Sequence, residues 1–141
     1  AKVYFNALFG KSFSREQDNA INAALNYGYA ILLSAVNREI LSLGYITQLG
    51  LNHCNQFNPY NLGSDLMEPL RGFVDAVVIK SIPTEFNRDV KLSLIELLSE
   101  DVKINDTIQT FSAAIRIYCK SVFDALRNQD ASEIRFIEYE L

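Results

Sequence analysis

The sequence predicts an all-α protein, a multi-helix domain arranged around one long buried helix. Three observations lead there. Apolar residues recur at spacings of three and four along most of the chain, the pattern of helices that bury one face. Gly10, Gly44, Pro59 and Pro83 punctuate these runs. The strict alternation of apolar and polar residues that marks a half-buried strand is confined to the last few positions.

The first helix is expected over residues 1–9, with Val3, Tyr4, Phe5, Leu8 and Phe9 as its apolar set, ending at Gly10, which suits a left-handed turn. Ser14 and Gln17 form a capping box and are expected to start the second helix. Its face carries Ile21, Leu25, Gly28, Leu32, Val36 and Ile40, and it stops at Gly44. A helix of nearly thirty residues is roughly 40 Å long. The stretch from Tyr29 to Val36 is apolar on nearly every side and is expected to run through the core. Gly28 weakens a helix, so its expected use is close packing against another helix.

Residues 44–63 are rich in Gly, Asn and Pro and read as a loop, with one short helical turn over residues 45–49. Ser64 is expected to cap a helix reaching about Val78, which puts Asp65 and Glu68 in its acid-favouring first turns. Beyond Pro83, one helix is expected around Phe86, Val90, Leu94 and Leu97. A longer one is expected around Ile108, Phe111, Ile115, Tyr118, Val122 and Leu126. In the tail, Ile137, Tyr139 and Leu141 alternate with Glu138 and Glu140, which suits a short strand or an extended docking segment. No repeat, low-complexity tract or flexible linker interrupts the pattern, so residues 1–141 read as one domain.

The chain has 141 residues, 49% of them apolar and 21% charged, an ordinary globular composition with enough apolar content for a core. No apolar run is long enough to cross a bilayer, and no basic stretch followed by an apolar segment opens the chain. It starts at Ala1, without Met and inside an apolar pattern, and is read as a fragment. Cys54 and Cys119 stand apart without zinc spacing, which fits a reducing prokaryotic cytoplasm; Cys119 falls on a helical pattern as a small hydrophobe. A formal charge of −4 argues against nonspecific coating of nucleic acid, which needs Lys and Arg to displace counterions, but leaves room for a local DNA site.

The chemistry-bearing residues gather around the central loop. His53 is the single histidine, and Asp65 and Glu68 follow on the next helix, three positions apart and thus on one face. One imidazole and two carboxylates form a plausible set for Mn²⁺ or Mg²⁺. The plainer reading is a surface histidine and two acids serving a helix dipole. Arg71, three positions after Glu68, suits a phosphate contact or simple pairing with Glu68 or Asp75. Asn55 and Asn58 suit either DNA contact through their amides or tight turns. Serine-nucleophile motifs, phosphate-cradling glycine loops and dinucleotide fingerprints are absent.

The segments AKVYFNALFG (1–10), INAALNYGYAILLSAVNREI (21–40), TQLGLNHCNQFNPYNLGSDLMEPLR (47–71) and the closing YEL resemble the CRISPR-associated spacer integrases, particularly their type II form. The resemblance covers nearly the whole chain and is strongest over residues 47–71; residues 80–130 match mainly in helical pattern. It implies the C-terminal helical lobe of a larger protein whose N-terminal β lobe is absent here. It also implies a divalent metal, Mn²⁺ or Mg²⁺, bound through His53 and Glu68 as catalytic ligands, with Asp65 as a supporting acid. A first glutamate belongs to a Glu-Gly-x-Ala-Ala motif whose last alanine matches Ala1, which puts it about four positions ahead of this chain. The fragment is therefore expected to be inactive.

For the intact protein the resemblance implies insertion of captured DNA into a CRISPR array by transesterification. Expected partners are spacer and repeat DNA, a second copy in a homodimer and a small companion adaptation protein, with no membrane. Arg71, Asn55 and Asn58 are its candidate DNA contacts. Two competing readings are a non-catalytic helical interaction module and a metal-dependent nuclease that cuts without joining.

Overall fold

The structure, a computed structural model, describes residues 2–139. Ala1, Glu140 and Leu141, the outer ends of the first helix and of the tail alternation, lie outside the described residues. The described elements are α1 (Lys2–Phe9), α2 (Ala20–Ser42), α3 (Asn61–Met67), α4 (Arg71–Ser81), α5 (Arg88–Glu96), β1 (Asp101–Ile104), β2 (Thr107–Thr110), α6 (Phe111–Asn128) and β3 (Ile137–Glu138). The mainly helical architecture is the one expected, with a three-stranded sheet added to it.

Helix α2 is the central strut and packs against α3, α4, α5 and α6. Leu25, Leu32, Val36 and Ile40 on it are buried. A Cβ at Gly28 would overlap Val74 of α4 and crowd Leu94 of α5, so the glycine is required by the close crossing anticipated for it. Between Tyr29 and Val36, however, Ala30 and Ser34 are exposed, which corrects the expectation of burial on every side. These two lie four apart on one face, where the Ser34 hydroxyl donates to the Ala30 carbonyl at 2.8 Å instead of needing a core partner.

The start of α2 is also corrected. The Ser14 box closes, with Gln17 Oε1 accepting the Ser14 N–H at 3.3 Å, but it closes a turn. Asn22 Nδ2 donates to the carbonyls of both Ser14 and Gln17 at 2.8 Å, satisfying groups that a helix would have used. Phe13, buried and 4.9 Å from the Phe9 ring, folds the turn back onto α1. Asn19 is the real cap, accepting the Asn22 N–H at 2.9 Å. At the other end Leu43 caps α2 and Gly44 takes φ +84°.

Ser64 is not a cap either, because α3 already begins at Asn61. The expected single helix is three pieces: α3, a 3₁₀ turn over Glu68–Leu70, and α4. Pro69 breaks it, since a proline has no N–H to donate and its ring clashes with the carbonyl one turn back. Helix α4 ends at Ile82, which takes the left-handed conformation at φ 35° just before Pro83. Asn87 caps α5 through the Val90 N–H at 3.1 Å.

The hairpin over residues 101–110 replaces what the sequence pattern assigned to the start of the last helix. Asn105 and Asp106 both have positive φ, at 52° and 59°, as a two-residue type I′ turn requires. Ile108 therefore sits on β2 and Leu126 near the end of α6, and both are exposed, so neither belongs to the buried stripe. That stripe runs from Phe111 through Ala114, Ile115, Tyr118, Cys119 and Val122. The tail strand forms as anticipated: β3 pairs antiparallel with β1, placing Ile137 opposite Ile104, both buried. Among the described residues no helix is long and apolar enough to cross a membrane.

Candidate functional site

The 44–60 loop forms no helical turn at residues 45–49 and is instead pinned to its surroundings residue by residue. Tyr45 stacks on Phe123 of α6 with ring centres 3.8 Å apart. Thr47 is buried, donating its hydroxyl to the Pro59 carbonyl at 2.8 Å while its own carbonyl accepts the Leu62 N–H at 2.9 Å. Asn61 donates to the carbonyls of Gln48 and Asn55, at 3.0 and 2.8 Å. Asn55 and Asn58 each turn a side-chain oxygen onto the N–H two residues on, at 3.0 and 2.9 Å, the turn-forming use of asparagine.

Asp65 organises the tip of this loop. Its side chain is only 8% exposed and accepts the backbone N–H groups of Leu51 at 2.5 Å, Asn52 at 2.8 Å and His53 at 3.1 Å. His53 Nδ1 lies 2.5 Å from Asp65 Oδ1. A Cβ at Gly50 would run into the His53 carbonyl and Asp65 Oδ2, so the chain must be bare there to reach this carboxylate. Burial pushes the Asp65 carboxyl upward, but the Asn52 N–H, the His53 ring and the N–H groups of His53 and Leu51 outweigh it and hold it below the usual carboxylate range. With Nδ1 engaged by a carboxylate, Nε2 is the nitrogen of the half-exposed ring left to offer a lone pair.

Glu68 and Arg71 lie in a cleft of about 780 Å³ between α1, α2, the 3₁₀ turn and α4. Arg71 Nη2 is 3.1 Å from Glu68 Oε1, and its guanidinium is 5.1 Å from the centre of the Tyr29 ring. Arg71 Nε is buried and has no hydrogen-bond partner among the described residues. Deeper in the cleft Asp75 is buried and receives two tyrosine hydroxyls, Tyr4 at 2.6 Å and Tyr29 at 2.5 Å, tying α1 and α2 to α4. Burial and the Asp75 carboxylate hold both hydroxyls well above the ordinary tyrosine range. Tyr139 closes one side, stacked on Phe73 at 4.2 Å and donating to the Pro69 carbonyl at 2.6 Å.

The expected site residues thus fall into two groups. His53 and Asp65 touch directly; Glu68 and Arg71 touch in the cleft, and His53 is not among the residues lining it. Among the described residues no three His, Cys, Asp or Glu side chains converge as a complete metal-binding set. Cys119 is buried and its thiol is pushed up to about 12, as suits a core residue, whereas Cys54 is exposed. The sequence pattern missed the cluster of Tyr4, Tyr29, Asp75 and Tyr139. Its one visible signal was a carboxylate, Asp75, set among Phe73, Val74, Val77 and Val78.

Comparison with known proteins places this geometry. The family model described as "CRISPR associated protein Cas1" matches residues 6–94. The CRISPR-associated endonuclease Cas1 of Neisseria meningitidis serogroup C is 36% identical over 143 residues, covering 98% of this chain and 47% of that protein. A CRISPR-associated endonuclease Cas1 of Francisella tularensis subsp. novicida is 35% identical over 113 residues, covering 71% of this chain and 35% of that protein. Among solved structures, a casposase bound to an integration product superposes with a TM-score of 0.68 at 25% identity, over 86% of this chain and 42% of that one. The chain thus spans about half the length of the Neisseria relative. With a family match over most of its length and a relative aligned along nearly all of it, this chain belongs to the CRISPR-associated Cas1 family.

Proposed function

We propose that this chain is the helical lobe of a CRISPR integrase that joins DNA by metal-dependent transesterification, with His53 and Glu68 as two of its metal ligands. The observation that carries the reading is the 2.5 Å pairing of His53 Nδ1 with Asp65. Histidines that bind metals characteristically give their other ring nitrogen to a carboxylate, which fixes the tautomer and raises the basicity of the free nitrogen. Both Asp65 oxygens are already engaged by loop donors, so Asp65 serves as the group that aims His53 more than as a ligand itself.

An imidazole nitrogen and a carboxylate oxygen fit Mn²⁺ or Mg²⁺ as part of a mixed donor set. The family resemblance supplies the remaining member, a glutamate about four positions ahead of Ala1. A bound divalent ion supplies charge neutralisation for the attacking and leaving oxygens.

In the reaction, a DNA 3′-hydroxyl oxygen bonds to phosphorus while the bond from phosphorus to the leaving 3′-oxygen breaks. The proton lost by the first hydroxyl is balanced by one gained on the second. Arg71, beside Glu68, would hold a phosphate of the reacting DNA, and Asn55 and Asn58 would steady the strand through their amides. The proposed partners of the intact protein are spacer and repeat DNA, a second copy and a small companion protein.

The test is calorimetric Mn²⁺ titration beside a strand-transfer assay on a labelled duplex, using the longer protein. His53→Ala and Glu68→Ala should each lose metal binding and joining. Full joining by His53→Ala would overturn the assignment of His53 as a ligand, and the absence of both Mn²⁺ binding and joining in the unsubstituted protein would favour a non-catalytic helical module. Cutting that persists without joining in the unsubstituted protein would favour a nuclease.

A further inference from the structure

We propose that Tyr29 and Tyr4 are positioning residues for Arg71: by occupying the Asp75 carboxylate they keep the Arg71 guanidinium turned to Glu68 and open to the cleft. The use of that placement rests on the phosphate contact proposed above for Arg71; the placement itself is a separate matter of geometry.

Arg71 and Asp75 stand four positions apart on α4, a spacing at which an arginine and an aspartate ordinarily pair. Asp75 is buried, where little water screens its attraction for a cation. Among the described residues, however, Asp75 forms no salt bridge. Arg71 instead pairs with Glu68, whose side chain is 49% exposed, through Nη2 at 3.1 Å. The guanidinium thus bypasses the buried acid for a solvated one.

The reason is that both oxygens of Asp75 are taken. Oδ1 accepts the Tyr29 hydroxyl at 2.5 Å and Oδ2 accepts the Tyr4 hydroxyl at 2.6 Å. Two donors satisfy the buried carboxylate without a cation. The Tyr29 ring also seats the guanidinium, 5.1 Å from its centre, a cation–π distance. Its hydroxyl therefore blocks the competing acid while its ring holds the cation. Paired with Asp75, Arg71 would spend its charge inside the protein. Paired with Glu68 through one nitrogen, it keeps other donors for a phosphate. Apolar side chains would tie α1, α2 and α4 together at less cost than a buried acid, so the clasp is better explained by what it does to Arg71.

The experiment compares Tyr29→Phe, Arg71→Ala, Tyr29→Phe/Arg71→Ala and Tyr29→Phe/Asp75→Asn in the longer protein, by fluorescence anisotropy with a labelled duplex across a salt series. A crystal structure of this chain carrying Tyr29→Phe reads the placement of Arg71 directly. Without the hydroxyl, Arg71 should leave Glu68 and pair with Asp75. The slope of log affinity against log salt should fall by about one unit, as in Arg71→Ala. The two losses should not add, since each removes the same contact. Asp75→Asn, which takes away the competing charge, should restore the slope in Tyr29→Phe. A merely structural clasp predicts the opposite, a deeper loss on the second substitution. Tyr4→Phe vacates the other oxygen and supplies the same readings if Tyr29→Phe does not fold.

Arg71 still paired with Glu68 in the Tyr29→Phe structure would overturn the positioning role. So would a parent-like slope in Tyr29→Phe where Arg71→Ala lowers it, or a loss that Asp75→Asn does not reverse. A parent-like slope in Arg71→Ala would overturn the phosphate contact instead, and the Tyr29→Phe structure would then decide the positioning by itself.

Discussion

His53 Nδ1 meets Asp65 Oδ1 at 2.5 Å, and the same carboxylate gathers the backbone N–H groups of Leu51, Asn52 and His53. One side chain thus fixes both the path of the loop and the aim of its only imidazole. Asp65→Asn keeps the shape but loses the charge and much of the accepting capacity. It should cost about 1.5–3 kcal/mol, the range for hydrogen bonds to a charged group. Faster hydrogen exchange at the amides of residues 51–53, with α2 amides unchanged, is the expected signature; uniform loss of protection would show that Asp65 acts on the whole fold.

The same carboxylate sets a pH dependence. Its folded-state pKa is depressed, so its contribution to stability is fully present above the unfolded value of about 3.9 and is lost as pH falls from there through the lower folded value. In urea titrations the gap between the parent chain and Asp65→Asn should be constant near neutrality and narrow below about pH 4. A gap that widens in acid would show the opposite sign of shift.

Leu32 is 1% exposed at the middle of α2, the helix against which α3, α4, α5 and α6 all pack. Leu32→Ala should destabilise by about 2–5 kcal/mol through lost burial and the cavity left behind. Ser34→Ala, two positions away on the exposed edge, should change stability by less than about 0.5 kcal/mol. Comparable midpoints for both variants in chemical denaturation would mean that α2 is not the core strut.

Ile82 is a β-branched residue held at φ 35°, where its Cβ is crowded, and it is exposed, so little packing is lost if it is removed. Ile82→Gly relieves a left-handed strain of about 1–2 kcal/mol against the extra chain entropy of glycine. The net expectation is a gain of about 0.5–1 kcal/mol, read as a raised denaturation midpoint. A lowered midpoint would mean that the isoleucine side chain contributes more than its exposure indicates.

Metal and DNA binding separate the roles within the proposed site. This chain alone should bind Mn²⁺ weakly, because hard cations gain affinity from the number and charge of their ligands. In the longer protein, Arg71→Ala should spare Mn²⁺ binding while lowering the salt dependence of DNA binding by about one unit of slope, the mark of one lost phosphate contact. Loss of Mn²⁺ binding in Arg71→Ala would show that its pairing with Glu68 is needed to shape the metal site.

What the sequence determined by itself was periodic and local. The stripe Leu25, Leu32, Val36 and Ile40, the glycine at the helix crossing and the breaks at Gly44 and Pro83 follow from side chains whose preferences act within a turn or two. The family resemblance at residues 47–71 was legible because those residues stand in order along the chain. Tertiary structure decided the rest. Asn22 turned the Ser14 box into a turn by taking its backbone carbonyls while Phe13 packed it on α1, and the Asn105–Asp106 turn claimed Ile108 for a strand that pairs with β1. Only the fold could bring Tyr4, Tyr29 and Asp75 together, because a buried carboxylate finds its donors across long sequence separations, where no local pattern reaches. Asp65 shows both sides: its spacing from Glu68 marked it as a candidate ligand, while the four donors that occupy it come from a loop whose path was set by contacts of Thr47, Tyr45 and Asn61.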